Sequence, residues 1–186
     1  MDEITLRDYQ SKGVDDVARL SSKGVRRIIF QLATGGGKTV VFSALAQRFI
    51  SRIDKKVFIC VHRHELLEQT VNALKKVAGI NAGLLIAEYK TICQKVGDLY
   101  IPFNNAQVVV CMIETLNNRI KKYSSLTDGV GMLIVDEVHL GNFVKIYSYF
   151  ETQLIVGFSA TPISANKKKK IKNHFDTIIS PVNILE

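Results

Sequence analysis

Six apolar runs recur along the chain, and none has the regular alternation of apolar and polar residues that marks a half-exposed strand. Uninterrupted runs of this kind are typical of strands that are covered on both faces. The pattern therefore predicts buried strands at these six places. In chain order the runs are RRIIFQL, KVFICV, AGLLIA, AQVVVCM, GMLIVD and QLIVGFS.

Between several of these runs, apolar residues recur at helical spacing instead. The segments are KTVVFSALAQRFISRI, RHELLEQTVNALKKVAG, which ends at Gly79, and IETLNNRIKKY. Strands that alternate with helices form a mostly parallel sheet with right-handed crossovers and helices on both faces. The sequence thus predicts an α/β fold in which ligands bind beyond the carboxyl ends of the strands.

The length of 186 residues fits one compact domain that buries its own core. No apolar run approaches the ~20 residues of a membrane-spanning helix, so we expect no membrane partner. The amino terminus is acidic and lacks the features of a secretory signal, which predicts a cytoplasmic location. Three scattered cysteines agree with this, and Cys60 and Cys111 lie in apolar runs, where we expect them in the core.

The formal net charge of +8 permits a polyanionic partner, because Lys and Arg side chains at phosphates release condensed counterions. Part of this excess is local, in the basic run 167–170. That run could touch nucleic acid, but a solvated helix face is the more common role of such a run.

Three glycines and a Lys-Thr pair follow the first strand, in the segment ATGGGKT. Glycine lets backbone N–H groups turn onto phosphate oxygens, and the start of a helix favours negative charge at the same point. Lys38 would then reach the β- and γ-phosphates of ATP, and the Thr39 hydroxyl would ligate Mg²⁺. The strict motif has glycine where this chain has Leu32, so a plain glycine turn remains the alternative.

Two adjacent carboxylates, Asp136 and Glu137, end the strand run of LIVDEVH. Carboxylates at this end of a strand lie on the ligand side of the sheet. Asp136 suits a hard-oxygen ligand of Mg²⁺, and Glu137 suits a group that orients or deprotonates the attacking water. An acidic pair that only caps the following segment is the alternative.

A third segment, VGFSATP, ends another strand run and supplies the hydroxyls of Ser159 and Thr161. Alone it indicates little. By chance, the three segments would occur together in roughly one chain in a million of this length, and their order is an additional constraint.

Together these segments resemble the first motor domain of a superfamily 2 helicase or translocase of DExH type, over nearly the whole chain. LRDYQ resembles the adenine-recognising motif, ATGGGKT motif I, VHRHELLEQ motif Ia, IETLNNR motif Ib, DEVH motif II and SATP motif III. The resemblance implies a P-loop NTPase fold of the RecA-like kind, with ATP and Mg²⁺ as cofactors. It also implies that ATP hydrolysis drives movement on, or unwinding of, nucleic acid.

The resemblance also assigns roles around the nucleotide. Gln10 is expected to read the adenine edge, and Arg7 to lie against the adenine face. The catalytic residues would be Lys38, Asp136 and Glu137, with Thr39 and Asp136 at the metal. The phosphate-binding set is Thr34, Gly35, Gly36, Gly37, Lys38 and Thr39, and the set coupling nucleotide to nucleic acid is His139, Ser159 and Thr161.

Motifs Ia and Ib imply nucleic-acid backbone contacts from Arg63 and Thr115, with Arg119 as a weaker candidate. Contacts of this kind position a strand without reading its sequence. Arg63 as a plain helix start and Thr115 as a plain polar helix position are the alternatives. The forms DEVH and RHELLEQ look more like the DNA-directed branches than the RNA-directed DEAD-box branch, so DNA is the expected partner.

A complete motor of this class has a second RecA-like domain that carries arginine fingers, and these are worth about 10³ to 10⁵ in rate. We assign residues 1–186 to the first domain alone, and we expect the isolated domain to be nearly inactive as an ATPase. A nucleotide-binding switch without motor activity is the competing hypothesis. A metabolic P-loop kinase is disfavoured, because it would not need LRDYQ and SATP.

Overall fold

The computed structural model describes residues 5–138, 143–160 and 174–181. In these ranges nine strands form one sheet. The strands are β1 (Arg27–Gln31), β2 (Lys56–Val61), β3 (Gly83–Leu85), β4 (Cys93–Val96), β5 (Leu99–Pro102), β6 (Val108–Met112), β7 (Val130–Val135), β8 (Leu154–Ser159) and β9 (Thr177–Ile179).

Helices connect most of the parallel strands. They are α1 (Asp8–Ser22), α2 (Lys38–Ile50), α3 (His64–Ala78) and α4 (Ile113–Ile120), and short 3₁₀ helices span Ser124–Thr127 and Val144–Tyr149. The three helices that the apolar spacing predicts are confirmed as α2, α3 and α4. Helix α3 ends at Gly79, which adopts the left-handed conformation with φ of 66°.

The sheet order is β5-β4-β3-β6-β2-β7-β8-β1-β9. All six predicted strands are present, and each of them pairs in parallel with at least one other of the six. The hairpin of β4 and β5 adds an antiparallel edge beside β3, and the short β9 adds a parallel strand at the other edge. The predicted fold, a mostly parallel sheet in an α/β domain, is therefore confirmed.

Two apolar clusters cover the two faces of the sheet. Along β2, Val57, Ile59 and Val61 belong to the cluster that packs against α1, α2 and α3, whereas Phe58 and Cys60 belong to the cluster with α4 and the second 3₁₀ helix. Successive strand side chains point to opposite faces, so an uninterrupted apolar run is what a doubly covered strand needs. The predicted placement of helices on both faces is thus confirmed.

Cys60 and Cys111 are buried, as their apolar runs predict, and Cys93 is buried as well; all three carry free thiols. Among the helices of the described ranges, none is long and apolar enough to cross a bilayer. The basic run 167–170 lies outside the described residues.

Helix α1 approaches β1 very closely, and Gly13 makes this possible. A Cβ atom built at Gly13 would lie 2.3 Å from Cζ of Phe30, which is buried in β1. The close packing holds the amino-terminal end of α1 over the segment that follows β1. That segment is the predicted phosphate loop.

Candidate nucleotide-binding site

The phosphate loop begins directly from the buried core. Leu32 is 2% exposed, and its N–H donates to the Ser159 carbonyl at 3.0 Å, which extends the pairing of β1 with β8 by one step. A Cβ at Gly36 would lie 2.8 Å from Cγ of Leu32. Leu32 therefore replaces the motif glycine as a core residue at the end of the strand, and the loop turns over it because Gly36 has no side chain.

Two glycines of this loop have backbone conformations that favour glycine. Gly35 has φ of 82° and Gly37 has φ of 78°, both in the left-handed region. Gly37 is also the residue before α2, whose first helical residue is Lys38. The first N–H groups of a helix lack intrahelical acceptors and carry the positive end of its dipole. The loop and helix start therefore have backbone features that an anion site uses, and the phosphate-binding role stays a prediction.

Helix α1 is tied to the loop by the residues of LRDYQ. Gln10 is 4% exposed, its Oε1 accepts the Arg7 N–H at 3.0 Å, and its Nε2 donates to the Gly36 carbonyl at 3.0 Å. Tyr9 donates its hydroxyl to the same carbonyl at 3.1 Å and accepts from Nη1 of Arg7 at 3.3 Å. The adenine roles of Gln10 and Arg7 stay predictions. Tyr9 is a loop contact that the motif assignment missed, although it lies inside the motif itself.

The acidic pair after β7 meets the phosphate loop. Nζ of Lys38 lies 2.6 Å from Oε1 of Glu137, and the two side chains are 13% and 23% exposed. Within the described ranges, Glu137 is the one residue other than glycine with a positive φ, at 49°. Strained backbone of this kind is concentrated at functional sites. The structure thus brings together residues that stand 99 positions apart.

Asp136 occupies a more enclosed position than Glu137. It is 5% exposed, and its backbone N–H donates to the Cys60 carbonyl of β2 at 2.9 Å. Burial raises the pKa of the Asp136 carboxyl, and the nearby Lys38 charge opposes this rise. Its Oδ1 atom is buried without a hydrogen-bond partner. A hard cation or its hydration shell would satisfy that oxygen, so Asp136 fits the predicted metal role.

The remaining nucleotide-side candidates lie at the same carboxyl edge of the sheet or outside the described ranges. Ser159 ends β8, is 1% exposed and stands opposite Gln31 of β1. Thr39 lies in the first turn of α2, where its carbonyl accepts from the Ser43 hydroxyl at 2.8 Å. His139 and Thr161 fall outside the described residues.

The nucleic-acid candidates follow β2 and β6, on the other half of the same edge. Arg63 is exposed and precedes the first residue of α3. Thr115 lies in α4 and is only 8% exposed. Arg119 donates to the carbonyls of Ile86 at 2.9 Å and Lys90 at 3.0 Å, so it holds the segment after β3 against α4. The motif pattern does not indicate this scaffold role, because the acceptors are backbone atoms about 30 positions away.

His62 lies inside the motif Ia segment, but the motif assignment gave it no role. His62 directly follows β2 and stands next to Arg63, and its Nδ1 atom is buried without a hydrogen-bond partner. When it is charged, the His62 ring lowers the pKa of the Asp136 carboxyl, against the larger effect of burial. The signal in the sequence was its place at the carboxyl end of a buried strand, where ligand-side groups collect.

A groove of about 530 Å³ lies at the opposite edge of the sheet, where β7 and β8 begin. Apolar side chains such as Leu45 and Phe49 line it together with Arg48 and Arg52. None of the predicted site residues lines this groove. The nucleotide-side edge is thus a surface separate from this groove.

Residues 3–164 match the family described as "Type III restriction enzyme, res subunit". Over 196 residues the chain is 33% identical to the putative ATP-dependent helicase IRC3 of Saccharomyces cerevisiae, a match that covers 97% of this chain and 27% of that protein. It is 27% identical over 183 residues to the endonuclease subunit of the type I restriction enzyme EcoKI of Escherichia coli, covering 96% of this chain and 15% of that protein. The chain therefore spans about a quarter or less of these relatives.

The fold also matches a solved structure of the type ISP restriction-modification enzyme LlaGI, a nuclease-deletion mutant in complex with a DNA substrate mimic. The TM-score is 0.74 at 18% identity, and the match covers 97% of this chain and 20% of that one. The family match spans motifs I, II and III in the order that the sequence predicts. The chain belongs to the Type III restriction enzyme res subunit family, and its fold is that of a RecA-like domain of superfamily 2 helicases.

Proposed function

We propose that residues 1–186 form the ATP-binding, amino-terminal motor domain of an enzyme that uses ATP hydrolysis to move on or unwind nucleic acid. The observation that carries this proposal is the meeting of Lys38 with Glu137 at 2.6 Å, beside the buried Asp136. A phosphate-binding cation, a carboxylate for water and a carboxylate for metal are the groups that phosphoryl transfer to water requires.

Lys38 has two competing partners in this scheme. Without nucleotide it pairs with Glu137. ATP phosphates offer a stronger negative charge at the loop, where N–H groups of the helix start also point. Binding of ATP draws Lys38 to the phosphates, and Glu137 is then released to orient the attacking water.

Thr39 and Asp136 are the residues that would hold Mg²⁺. The bound ion would neutralise phosphate charge during the transfer. The orphaned Oδ1 of Asp136 supports this assignment, as does the position of Thr39 in the first turn of α2. Ser159 contributes differently, since its carbonyl accepts the Leu32 N–H and joins the end of β8 to the start of the phosphate loop. We assign it to coupling between the loop and the segment that follows β8.

DNA is the nucleic acid that we favour. Supporting facts are the restriction-enzyme family, the DNA substrate mimic bound by LlaGI, and the net charge of +8. Arg63 is the leading candidate for a backbone contact, because it is exposed next to the carboxyl end of β2. Thr115 and Arg119 are weaker, since the first is nearly buried and the second binds backbone carbonyls.

A second motor domain completes the proposed enzyme. The chain spans 27% of the yeast relative, which leaves room in that protein for further domains. The second domain would supply the arginine finger, and without it we expect very slow turnover by these 186 residues.

The test is a titration of this chain with a fluorescent ADP analogue in the presence of Mg²⁺. Lys38→Ala should weaken binding at least tenfold, because it removes the phosphate-binding cation. Lys12→Ala changes an exposed lysine of α1 and serves as the matched control. Equal affinity of the parent and Lys38→Ala would overturn the nucleotide site. Binding without any DNA-stimulated turnover in the longer protein would instead favour a nucleotide switch.

A further inference from the structure

Continued past the ends of β2 and β7, the register that pairs Cys60 with Val135 sets Val61 beside Asp136 and His62 beside Glu137. Cys60 of β2 stands opposite Val135 of β7, and both chains then leave the sheet at the same edge. The Asp136 N–H donates to the Cys60 carbonyl, which extends this pairing past the end of β7. His62 is therefore next to the acidic pair although 74 residues separate it from Asp136 in the sequence.

Each of these two side chains has one buried polar atom without a hydrogen-bond partner, Nδ1 of His62 and Oδ1 of Asp136. Orphaned atoms of this kind are uncommon, because an unmet buried polar group costs about 1–3 kcal/mol. The two atoms do not bond to each other, yet the imidazole acts electrostatically on the carboxyl. Two polar groups that are close but not in contact are a usual setting for a bridging water.

Other polar groups nearby are already engaged. Lys38 pairs with Glu137, and the Asp136 N–H is used by β2. His64, two residues further on, is 52% exposed and lies 3.9 Å from Glu88 rather than facing the acidic pair. His174, the other histidine of the described ranges, lies against the ring of Tyr147, with ring centroids 5.7 Å apart. Of the three described histidines, His62 is the one that directly follows a strand paired with β7.

We infer that His62 is a positioning residue of the metal site, which holds through its Nδ1 a water of the cation's hydration shell that Asp136 Oδ1 also contacts. The inference rests on the proposed function, because it needs the nucleotide-bound metal. Mg²⁺ keeps several of its waters in protein sites, so an outer contact of this kind is expected to matter. A water bound to Mg²⁺ turns its oxygen towards the ion and donates its two hydrogens, so Asp136 Oδ1 can accept one and the unprotonated Nδ1 of His62 the other.

His62 also adjoins the proposed nucleic-acid contact. It stands immediately before Arg63, the candidate for a backbone contact with nucleic acid, which in turn precedes α3. A shift of Arg63 on a DNA strand would displace His62 by way of one peptide unit. The metal's hydration shell would then respond to nucleic acid.

The experiment measures Mn²⁺ affinity in the presence of saturating ADP, by the electron paramagnetic resonance signal of free Mn²⁺. His62→Leu removes the polar atom and should weaken Mn²⁺ binding about 10- to 100-fold, the usual loss for an outer-shell partner. His62→Asn places a polar atom close to the position of Nδ1 and should stay within about threefold of the parent. His64→Leu is the matched control and should leave the Mn²⁺ affinity unchanged. ADP binding in the presence of EDTA should be the same in all four proteins.

Thermal melts identify a misfolded variant, and His62→Ala replaces His62→Leu if the leucine variant melts early. Unchanged Mn²⁺ affinity in His62→Leu overturns the inference, as does an equal loss in His62→Asn, which would indicate packing instead of a polar contact. Failure of the parent itself to bind ADP with Mn²⁺ would overturn the proposed function, and the inference with it. If the parent binds ADP with Mn²⁺ and His62→Leu binds Mn²⁺ equally well, the inference is overturned and the proposed function is not.

Discussion

The Lys38–Glu137 ion pair predicts that Glu137→Gln binds ATP more tightly than the parent protein. In the structure the two groups are 2.6 Å apart and mostly shielded from water, with 13% and 23% of the side chains exposed. ATP must break this pair before Lys38 can reach its phosphates. Glutamine keeps a neutral hydrogen-bonding group at the position but removes the charge that competes with the phosphates.

The expected change in ATP affinity follows from the free energy that such an ion pair contributes. Exposed ion pairs contribute about 0.2–1 kcal/mol, and partial burial places this one near the upper end, at about 1 kcal/mol. ATP no longer has to break this ion pair in Glu137→Gln, so its binding gains about 1 kcal/mol. This corresponds to about fivefold tighter binding, because 1.4 kcal/mol is a factor of ten. Turnover in the complete enzyme should fall about 10²- to 10⁴-fold, the usual contribution of a general base.

A fluorescent ATP analogue titrated into the 186-residue chain measures the affinity, and turnover of the longer protein measures the chemistry. Glu88→Gln is the control, because it neutralises a carboxylate that is 59% exposed and away from Lys38. If Glu137→Gln lowers ATP affinity to the level of Lys38→Ala, Glu137 helps to hold the nucleotide. The assignment of Glu137 to the attacking water would then be wrong.

Three further substitutions separate local roles. Gly37→Ala should lower the melting temperature by about 2–8 °C and weaken nucleotide binding. The backbone φ at Gly37 is 78°, and the new Cβ would lie 2.5 Å from Nε2 of Gln10. Gly24→Ala is the control for backbone strain alone, because Gly24 has φ of 88° and open space around it. Arg119→Ala should lower the free energy of unfolding in urea by about 1–2 kcal/mol and leave the salt dependence of DNA binding unchanged. Unchanged stability with a weaker salt dependence would instead show that Arg119 contacts a phosphate. Arg63→Ala in the longer protein should reduce the slope of log affinity against log salt by about 0.7 for single-stranded DNA, whereas an unchanged slope with lower thermal stability would place Arg63 in the scaffold.

The strands that the sequence predicts are those whose side chains are buried on both faces. β2 and β6 are apolar at nearly every position because each contacts two neighbouring strands and lies under helices. The hairpin strands β4 and β5 were missed because they lie at an edge, where CQKV and LYIP leave most side chains at least partly exposed. A strand with little to bury has no apolar run to reveal it.

Helix α1 was missed for another reason. Its amino-terminal residues Tyr9 and Gln10 donate hydrogen bonds to the phosphate loop. The segment LRDYQ was therefore interpreted as a binding motif and not as the start of a helix. The apolar stripe of α1 also includes Gly13, which lowers helix propensity but permits the close approach to Phe30. Tertiary packing outweighs local preference at this position.

The candidate site was predictable where it depends on strand ends and unpredictable where it depends on strand order. Parallel strands expose their carboxyl ends at one edge, so motif I and the acidic pair had to lie at that edge. The pairing of Lys38 with Glu137 and the place of His62 need more than this, because they depend on β7 lying between β2 and β8. No local pattern encodes that order.

The same strand order gives β2 a special place in the proposed motor. β2 pairs with β7, which precedes the carboxylates proposed for metal and water, and with β6, which precedes the α4 candidates for nucleic acid. The turn after β2 contains His62, on the side of the acidic pair, and Arg63, on the side of the nucleic-acid candidates. A displacement of this turn would therefore change the surroundings of Asp136 and the nucleic-acid face together. We therefore expect coupling between ATP and the nucleic-acid strand to pass through these two adjacent residues, without a long chain of contacts through the core.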